Sequence, residues 1–162
     1  MKTMRILVVS DTHGNYQLLH KLLTTVGPFD LLIHAGDGGN DLLQLARDFP
    51  DLPRYAVAGN CDPFSRLPRE LCFEAGGQRI FLTHGDRYGV KHDLLRLALK
   101  GKASQADLVI FGHTHLPLLD QSHGVMLLNP GSLGSCRGER KHSYGWVEIG
   151  PDGMNPEIRF MG

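Results

Sequence analysis

Short blocks of consecutive apolar residues alternate with stretches of helical periodicity through the first half of the chain. Ile6-Leu7-Val8-Val9-Ser10 is unbroken, the pattern of a parallel strand covered on both faces. It halts at Asp11-Thr12-His13-Gly14. Leu18, Leu19, Leu22, Leu23 and Val26 then recur at the spacing of one helix face, with Asn15 as the predicted N-cap and Gly27-Pro28 as the stop. A second buried strand, Leu31 to Ala35, ends at Gly36-Asp37-Gly38-Gly39. Leu42, Leu43, Leu45, Ala46 and Phe49 predict a second helix, capped by Asn40 or Asp41 and stopped by Pro50. Arg54 to Val57 predicts a third strand, ending at Gly59-Asn60-Cys61-Asp62.

The pattern then changes. Glu70 to Glu74 and Arg79 to Thr83, separated by Gly76-Gly77, read as a hairpin whose second arm ends at His84-Gly85-Asp86. His92 to Lys100 predicts a third helix with Gly101 as its stop. Asp107 to Phe111 is another apolar strand, followed by Gly112-His113-Thr114-His115. Short strand-like runs over 116–120, 125–128, 145–149 and 157–160 complete the chain. A β-α-β-α-β opening followed by antiparallel-rich strands predicts an α/β or α+β layered sandwich. No linker or repeat divides it, so residues 1–162 read as a single domain.

Composition narrows the function classes. With 41% hydrophobic and 21% charged residues, the chain has the balance of a soluble globular protein rather than a disordered one. Its 17 basic and 17 acidic residues cancel, which disfavours an extended nucleic-acid partner. No apolar run is long enough for a membrane span, and the start does not read as a secretory signal. Three cysteines, Cys61, Cys72 and Cys136, cannot all pair and lack zinc or redox spacing, so a reduced, cytoplasmic chain is expected. Twenty glycines and nine histidines stand out, several of them beside aspartates.

Those residues gather at predicted strand ends. Asp11, His13, Asp37, Asn60, His84, His113 and His115 all lie in glycine-containing turns that follow apolar strands, where loops of an open α/β sheet converge. An isolated Asp-x-His or His-x-His is a weak signal, since roughly 0.7 and 0.5 such pairs arise by chance in this composition. Repeated placement at five successive strand ends is not covered by that chance. Two Asp, one Asn and four His donors exceed what one tetrahedral zinc uses and suit two ions with five or six ligands each. Nitrogen and oxygen donors without thiolate favour Mn, Fe, Ni or Zn. A pair of such ions suits phosphate-ester hydrolysis.

At these positions the sequence resembles the calcineurin-like metallophosphoesterase superfamily, and within it the small YfcE-like phosphodiesterases. The resemblance rests on Asp11-x-His13, Gly36-Asp37, Gly59-Asn60-Cys61-Asp62, His84-Gly85 and Gly112-His113-Thr114-His115, and extends to Asn129-Pro130-Gly131-Ser132. It implies a four-layer αββα sandwich of two mixed β-sheets flanked by helices. It also implies two divalent cations, Mn2+ foremost. One would be held by Asp11, His13 and His115 and the other by Asn60, His84 and His113. Asp37 would bridge both, beside a bridging hydroxide that attacks a small phosphate-ester substrate. Asn60, Cys61 and Asp62 are the candidate catalytic residues: the Asn60 amide towards the phosphoryl oxygens, Cys61 in the place of the histidine that protonates the leaving group in many relatives, and Asp62 orienting the turn. Without that histidine, activated diesters should be cleaved faster than alkyl monoesters.

Further residues depart from the common pattern or read as structural. Asp86 stands where some relatives carry another histidine, and Gly134-Ser135-Cys136-Arg137 differs from the usual Pro-Arg continuation. His34, inside an apolar strand, reads as a hydrogen-bonded core residue. His20, His92, His123 and His142 read as surface groups. Arg137, Arg140, Lys141 and His142 form a local basic run that reads either as a contact for substrate phosphate or as a solvated loop, the loop being favoured. Apolar residues near the C-terminal strands leave a homo-oligomer open. The alternative reading is a catalytically weak metal-binding scaffold or protein-interaction module on the same fold, as in the retromer's metallophosphoesterase-like subunit.

Overall fold

A computed structural model describes residues 2–134 and 141–161. In chain order the elements are β1 (Met4–Val9), α1 (Tyr16–Thr25), β2 (Leu31–His34), α2 (Asn40–Asp48), β3 (Arg54–Ala56), β4 (Glu70–Ala75) and β5 (Gln78–Thr83). They continue with a 3-10 turn (Asp86–Tyr88), α3 (Leu95–Ala103), β6 (Leu108–Ile110), β7 (Leu118–Asp120), β8 (Met126–Asn129), β9 (Ser143–Gly150) and β10 (Gly153–Phe160). Two five-stranded mixed sheets result, ordered β10-β9-β1-β2-β3 and β4-β5-β6-β8-β7. In the first, β1, β2 and β3 are parallel. In the second, β5, β6 and β8 are parallel.

Strand alternation distributes the apolar side chains over three interfaces. Ile6, Val8, Leu31 and Ile33 of the first sheet meet Ile80, Leu82, Leu108 and Ile110 of the second. The residues between them point the other way: Leu7, Val9 and Leu32 pack on Leu19, Leu22 and Leu23 of α1 and Leu45 of α2. On the far side Phe81, Val109 and Leu127 pack on Leu97 and Ala98 of α3. The layers are therefore helices, sheet, sheet and helix, the αββα sandwich. Strands β1 and β6 lie between layers on both faces, which is why they read as continuous apolar runs.

The helix termini differ from their sequence signals. Asn15 makes no side-chain cap; its amide Nδ2 instead donates to the Leu133 carbonyl at 3.0 Å, tying the entry of α1 to a loop more than a hundred residues away. Asn40 and Asp41 lie inside α2, which is entered through Gly39. The Asp41 carboxylate accepts from the Gly14 N–H at 2.9 Å rather than from its own helix. Gly101 does not stop α3 but sits within it, because a Cβ there would stand 2.5 Å from Val109 Cγ2 on β6. Close approach of helix to sheet, not chain reversal, demands that glycine. Of the basic run, Arg137 and Arg140 lie outside the described residues, as do Ser135 and Cys136.

Gly101→Ala sets two effects against each other. Alanine gains about 1 kcal/mol of helix propensity over glycine. Intrusion on the stiff, β-branched Val109 costs about 1–3 kcal/mol. We expect a lowered urea midpoint for Gly101→Ala and a further drop for Gly101→Leu; an increased midpoint for alanine would show that α3 can move off the sheet freely.

Candidate metal centre

The parallel strands of both sheets deliver their C-terminal loops to one edge of the sandwich. Backbone hydrogen bonds lock the first two loops side by side, Asp11 N–H to Gly36 O at 2.9 Å and His13 N–H to Asp37 O at 3.1 Å. The two sheets are also joined here. His84, after β5, donates from Nδ1 to the Ala35 carbonyl at 2.7 Å. His113, after β6, donates its backbone N–H to Asp11 Oδ2 at 3.1 Å. Ser132 donates from its hydroxyl to the Asp11 carbonyl at 2.8 Å.

All seven donors predicted from the sequence come together at this edge. Asp11, His13 and His115 place ligand atoms within 4.8 Å of one another, and so do Asp37, His84 and His113. A third grouping, His13, Asp37 and Cys61, lies between them by sharing members with the other two. His13 Nε2 and His115 Nε2 are 3.3 Å apart, and both face Asp11 Oδ1 at 3.5 and 3.2 Å. His84 Nε2 stands 3.2 Å from Asp37 Oδ2 and 3.0 Å from Asn60 Oδ1. Because His84 Nδ1 donates to Ala35, Nε2 is the ring nitrogen turned to the centre, where it would serve as the ligand atom. Asp86 opens the 3-10 turn and belongs to none of these groups among the described residues.

Backbone conformation marks the same residues. Among the described non-glycine residues, φ is positive at Asp11 (54°), His13 (45°), Asp37 (59°), His113 (71°), His115 (62°) and Gln105 (57°). Five of these six carry candidate ligand side chains. Each such residue costs on the order of 1–3 kcal/mol unless its surroundings over-determine it. Glycine provides part of that constraint. A Cβ on Gly59 would lie 2.1 Å from Asp37 Oδ1, and one on Gly112 would lie 2.6 Å from Asp11 Oδ2. The carboxylates thus sit in space that only a glycine backbone leaves open.

Electrostatics show what the arrangement lacks. Asp11 Oδ1 is fully buried and has no hydrogen-bond partner, the surrounding imidazoles lying outside hydrogen-bonding geometry. Burial pushes the Asp11 carboxyl up, but His115, His13 and His84 outweigh it and hold it well below the carboxylate range. For Asp37 burial is likewise outweighed, chiefly by His84. His13 is raised above the ordinary histidine value by Asp11. His84 is raised as well, burial being overcome by Asp37 and Asp11. Burial and the neighbouring His84 lower His113. Two buried carboxylates, one with an orphaned oxygen, and a ring of imidazole nitrogens fit divalent cations.

Supporting residues hold the donors in place. Asp62 is buried and accepts three backbone N–H groups: Asp37 and Gly59 at 2.8 Å each on Oδ2, and Gly39 at 3.0 Å on Oδ1. The Cys61 N–H donates to Asp37 Oδ1 at 2.8 Å. Asn129 donates to Gly112 O and Thr114 Oγ1 at 3.1 and 2.9 Å, so the Asn-Pro-Gly-Ser turn is a brace for the His113 loop. His34 is a core histidine, as its apolar flanks predict, but it does more than fill space. Its Nδ1 accepts from Gly36 N–H at 3.1 Å and its Nε2 faces Thr12 Oγ1 at 3.1 Å, so one ring ties the Asp11 loop to the Asp37 loop. That bridge has no signal in the sequence, because Thr12 and His34 are 22 positions apart.

The calcineurin-like phosphoesterase superfamily domain matches residues 4–152. The chain belongs to this superfamily. YsnB of Bacillus subtilis, named a probable metallophosphoesterase, is 34% identical over 163 residues, covering 97% of this chain and 90% of YsnB. The phosphodiesterase YfcE of Escherichia coli is 32% identical over 103 residues, 57% of this chain and 51% of YfcE. A crystal structure of a Streptococcus pneumoniae protein described as a predicted phosphoesterase superposes with a TM-score of 0.76 at 26% identity, covering 98% of this chain and 99% of that one. Vps29 of Entamoeba histolytica, crystallised with zinc, shares the fold with a TM-score of 0.71 at 22% identity over 97% of this chain and 99% of that one. This phosphoesterase is thus a member of a metal-dependent hydrolase superfamily, and its Asp and His groups are suited to divalent metals.

Two measurements test the support of the centre. Asp62→Ala leaves three backbone N–H groups without their acceptor and should cost at least about 3 kcal/mol, while weakening metal retention more than Asp62→Asn does. Equal metal content in both variants would count against a positioning role. Burial lowers His34 from 6.5 to about 4. Between those values the unfolded chain binds the extra proton, so stability from this group is full above 6.5 and is lost as pH falls towards 4. At pH 5 the loss relative to pH 7 is about 2 kcal/mol. Because His13 and His84 shift the opposite way, the check is a difference: on going from pH 7 to pH 5 the native protein should lose about 2 kcal/mol relative to His34→Gln in urea unfolding.

Proposed function

We propose that this phosphoesterase is a dinuclear, metal-dependent phosphodiesterase acting on a small substrate in the cytoplasm. The observation that carries the reading is the pairing of two donor triads, Asp11/His13/His115 and Asp37/His84/His113, around an unpartnered buried carboxylate oxygen. The first triad would hold one cation. The second, with the Asn60 amide oxygen, would hold the other, and Asp37 would face both. Mn2+ is the favoured ion, with Fe, Ni and Zn compatible with the same nitrogen and oxygen donors. Bound as a pair, such ions supply a nucleophile from water near neutral pH and neutralise charge on the phosphoryl oxygens.

The chain's own residues then divide the remaining work. His84 is held by its Nδ1 bond to Ala35, which leaves Nε2 as the ring nitrogen that would take a cation. The Asn60 amide nitrogen, exposed at the open side, would donate to the phosphoryl oxygens of a bound ester. Asp62 and the Cys61 N–H fix Asp37, so both act by positioning. Burial and the nearby Asp37 carboxylate push the Cys61 thiol up, leaving it a neutral and weak acid. It is a poor substitute for the imidazole that protonates leaving alcohols. Substrates whose leaving group needs no proton are therefore favoured. YfcE, named a phosphodiesterase, supports the diester reading by similarity. Free Cys61 and Cys72 thiols are consistent with a reducing compartment. No described helix is long and apolar enough to cross a membrane. A protein-binding scaffold on this fold remains the alternative, and the complete set of competent donors favours hydrolysis over it.

With Mn2+ added, bis-p-nitrophenyl phosphate should be hydrolysed faster than glycerol phosphate, and chelation should abolish both. Asp37→Ala and His84→Ala should each lose bound metal and at least about a hundredfold in turnover. Hydrolysis that survives chelation, or a clear preference for the alkyl monoester, would overturn the reading.

A further inference from the structure

An open cavity of about 740 Å³ lies between α2 and the 61–67 loop, and Cys61 and Asp62 form part of its wall. Cys61 is also a member of the grouping with His13 and Asp37, so this cavity and the metal centre share a boundary residue. Its volume falls in the range of small-molecule sites. The chemistry of its lining differs from that of the centre. Leu42, Leu43, Ala46 and Leu67 make it apolar, and Arg66 adds a cationic group. At its rim Phe64 is 96% exposed and Leu43 is 61% exposed. A large aromatic ring left almost wholly in water beside a reaction centre has no structural use in the core clusters, none of which includes it.

From this arrangement we infer that the cavity receives an organic ester group of the phosphodiester, and that this group is planar and aromatic. The inference rests on the proposed phosphodiesterase reading and names the substrate class for it. A phosphodiester places two organic groups on phosphorus. With phosphorus at the metal centre, the wall shared through Cys61 lets one of them extend into the cavity. Phe64 offers that group a face for stacking, while Leu43 and Ala46 of α2 line the wall. Arg66 favours an anionic or electron-rich substituent on it. Specificity then comes from a surface distinct from the metal ligands, and a simple alkyl ester would leave it unused.

Phenylphosphonate and methylphosphonate test this without turnover, since neither has an ester bond to break. Both present the same phosphoryl oxygens, and only one carries a ring. Calorimetric titration of the Mn2+-loaded protein should show phenylphosphonate binding at least about tenfold more tightly. Phe64→Ser, at a fully exposed position, and Ala46→Trp, which fills the cavity, should each remove most of that advantage. Methylphosphonate affinity should stay within about twofold in both. Equal affinities for the two ligands, or an advantage that survives both substitutions, would overturn the cavity assignment while leaving the hydrolase reading intact. Failure of methylphosphonate to bind the metal-loaded protein, together with no hydrolysis of bis-p-nitrophenyl phosphate, would overturn both.

Discussion

Two aspartates at the ends of adjacent parallel strands carry negative charge into a buried place, and the surrounding structure is arranged around that fact. Asp11 and Asp37 both adopt positive φ, and the backbone of each loop hydrogen-bonds to the other. Neither position is comfortable by itself. A buried carboxylate costs several kcal/mol unless it is compensated, and a left-handed L-residue adds on the order of 1–3 kcal/mol. Asp62, Ser132, the Cys61 N–H and the His113 N–H each fasten one of these residues or its loop. The remaining deficit, centred on Asp11 Oδ1, is one that cations can fill.

The sandwich makes this possible because it is held by apolar packing away from the edge. Three separate apolar interfaces fix the two sheets and their helices. The C-terminal loops of five of the six parallel strands can then carry the strained and polar donor residues without contributing to the core. His84 and His34 show the division of labour at the border. Each uses one ring nitrogen to bind backbone from the Ala35–Gly36 turn. His84 turns its other nitrogen to the centre, whereas His34 turns its other nitrogen to Thr12 behind it. Two histidines of similar burial thus serve opposite ends, one as a donor and one as a strut.

Cys61 connects the chemistry to the surrounding surface. Its backbone orders Asp37, its thiol is a weak acid in this setting, and its other side borders the apolar cavity below α2. A centre that does not help its leaving group to depart gains from binding the organic part of the substrate firmly, because orientation lowers the barrier where proton transfer does not.

Much of this was legible in the order of residues. The continuous apolar runs at β1, β2 and β6 mark strands buried on both faces because a sandwiched strand has no polar face to keep. The Gly, Asp and His residues at their ends mark the reactive edge because parallel strands all release their loops on one side. Local signals failed where a contact was long-range. Asn15 and Asp41 look like helix caps but bind Leu133 and Gly14, and Gly101 looks like a stop but admits Val109. The backbone strain at five ligand positions, the His34 brace and the cavity beneath Phe64 have no periodicity to reveal them. Which residue types meet, and on which edge, follows from alternation and strand direction, which are local properties of a chain. Their distances, their unusual φ angles and the space beside them emerge on folding, because they depend on contacts between segments far apart along the chain.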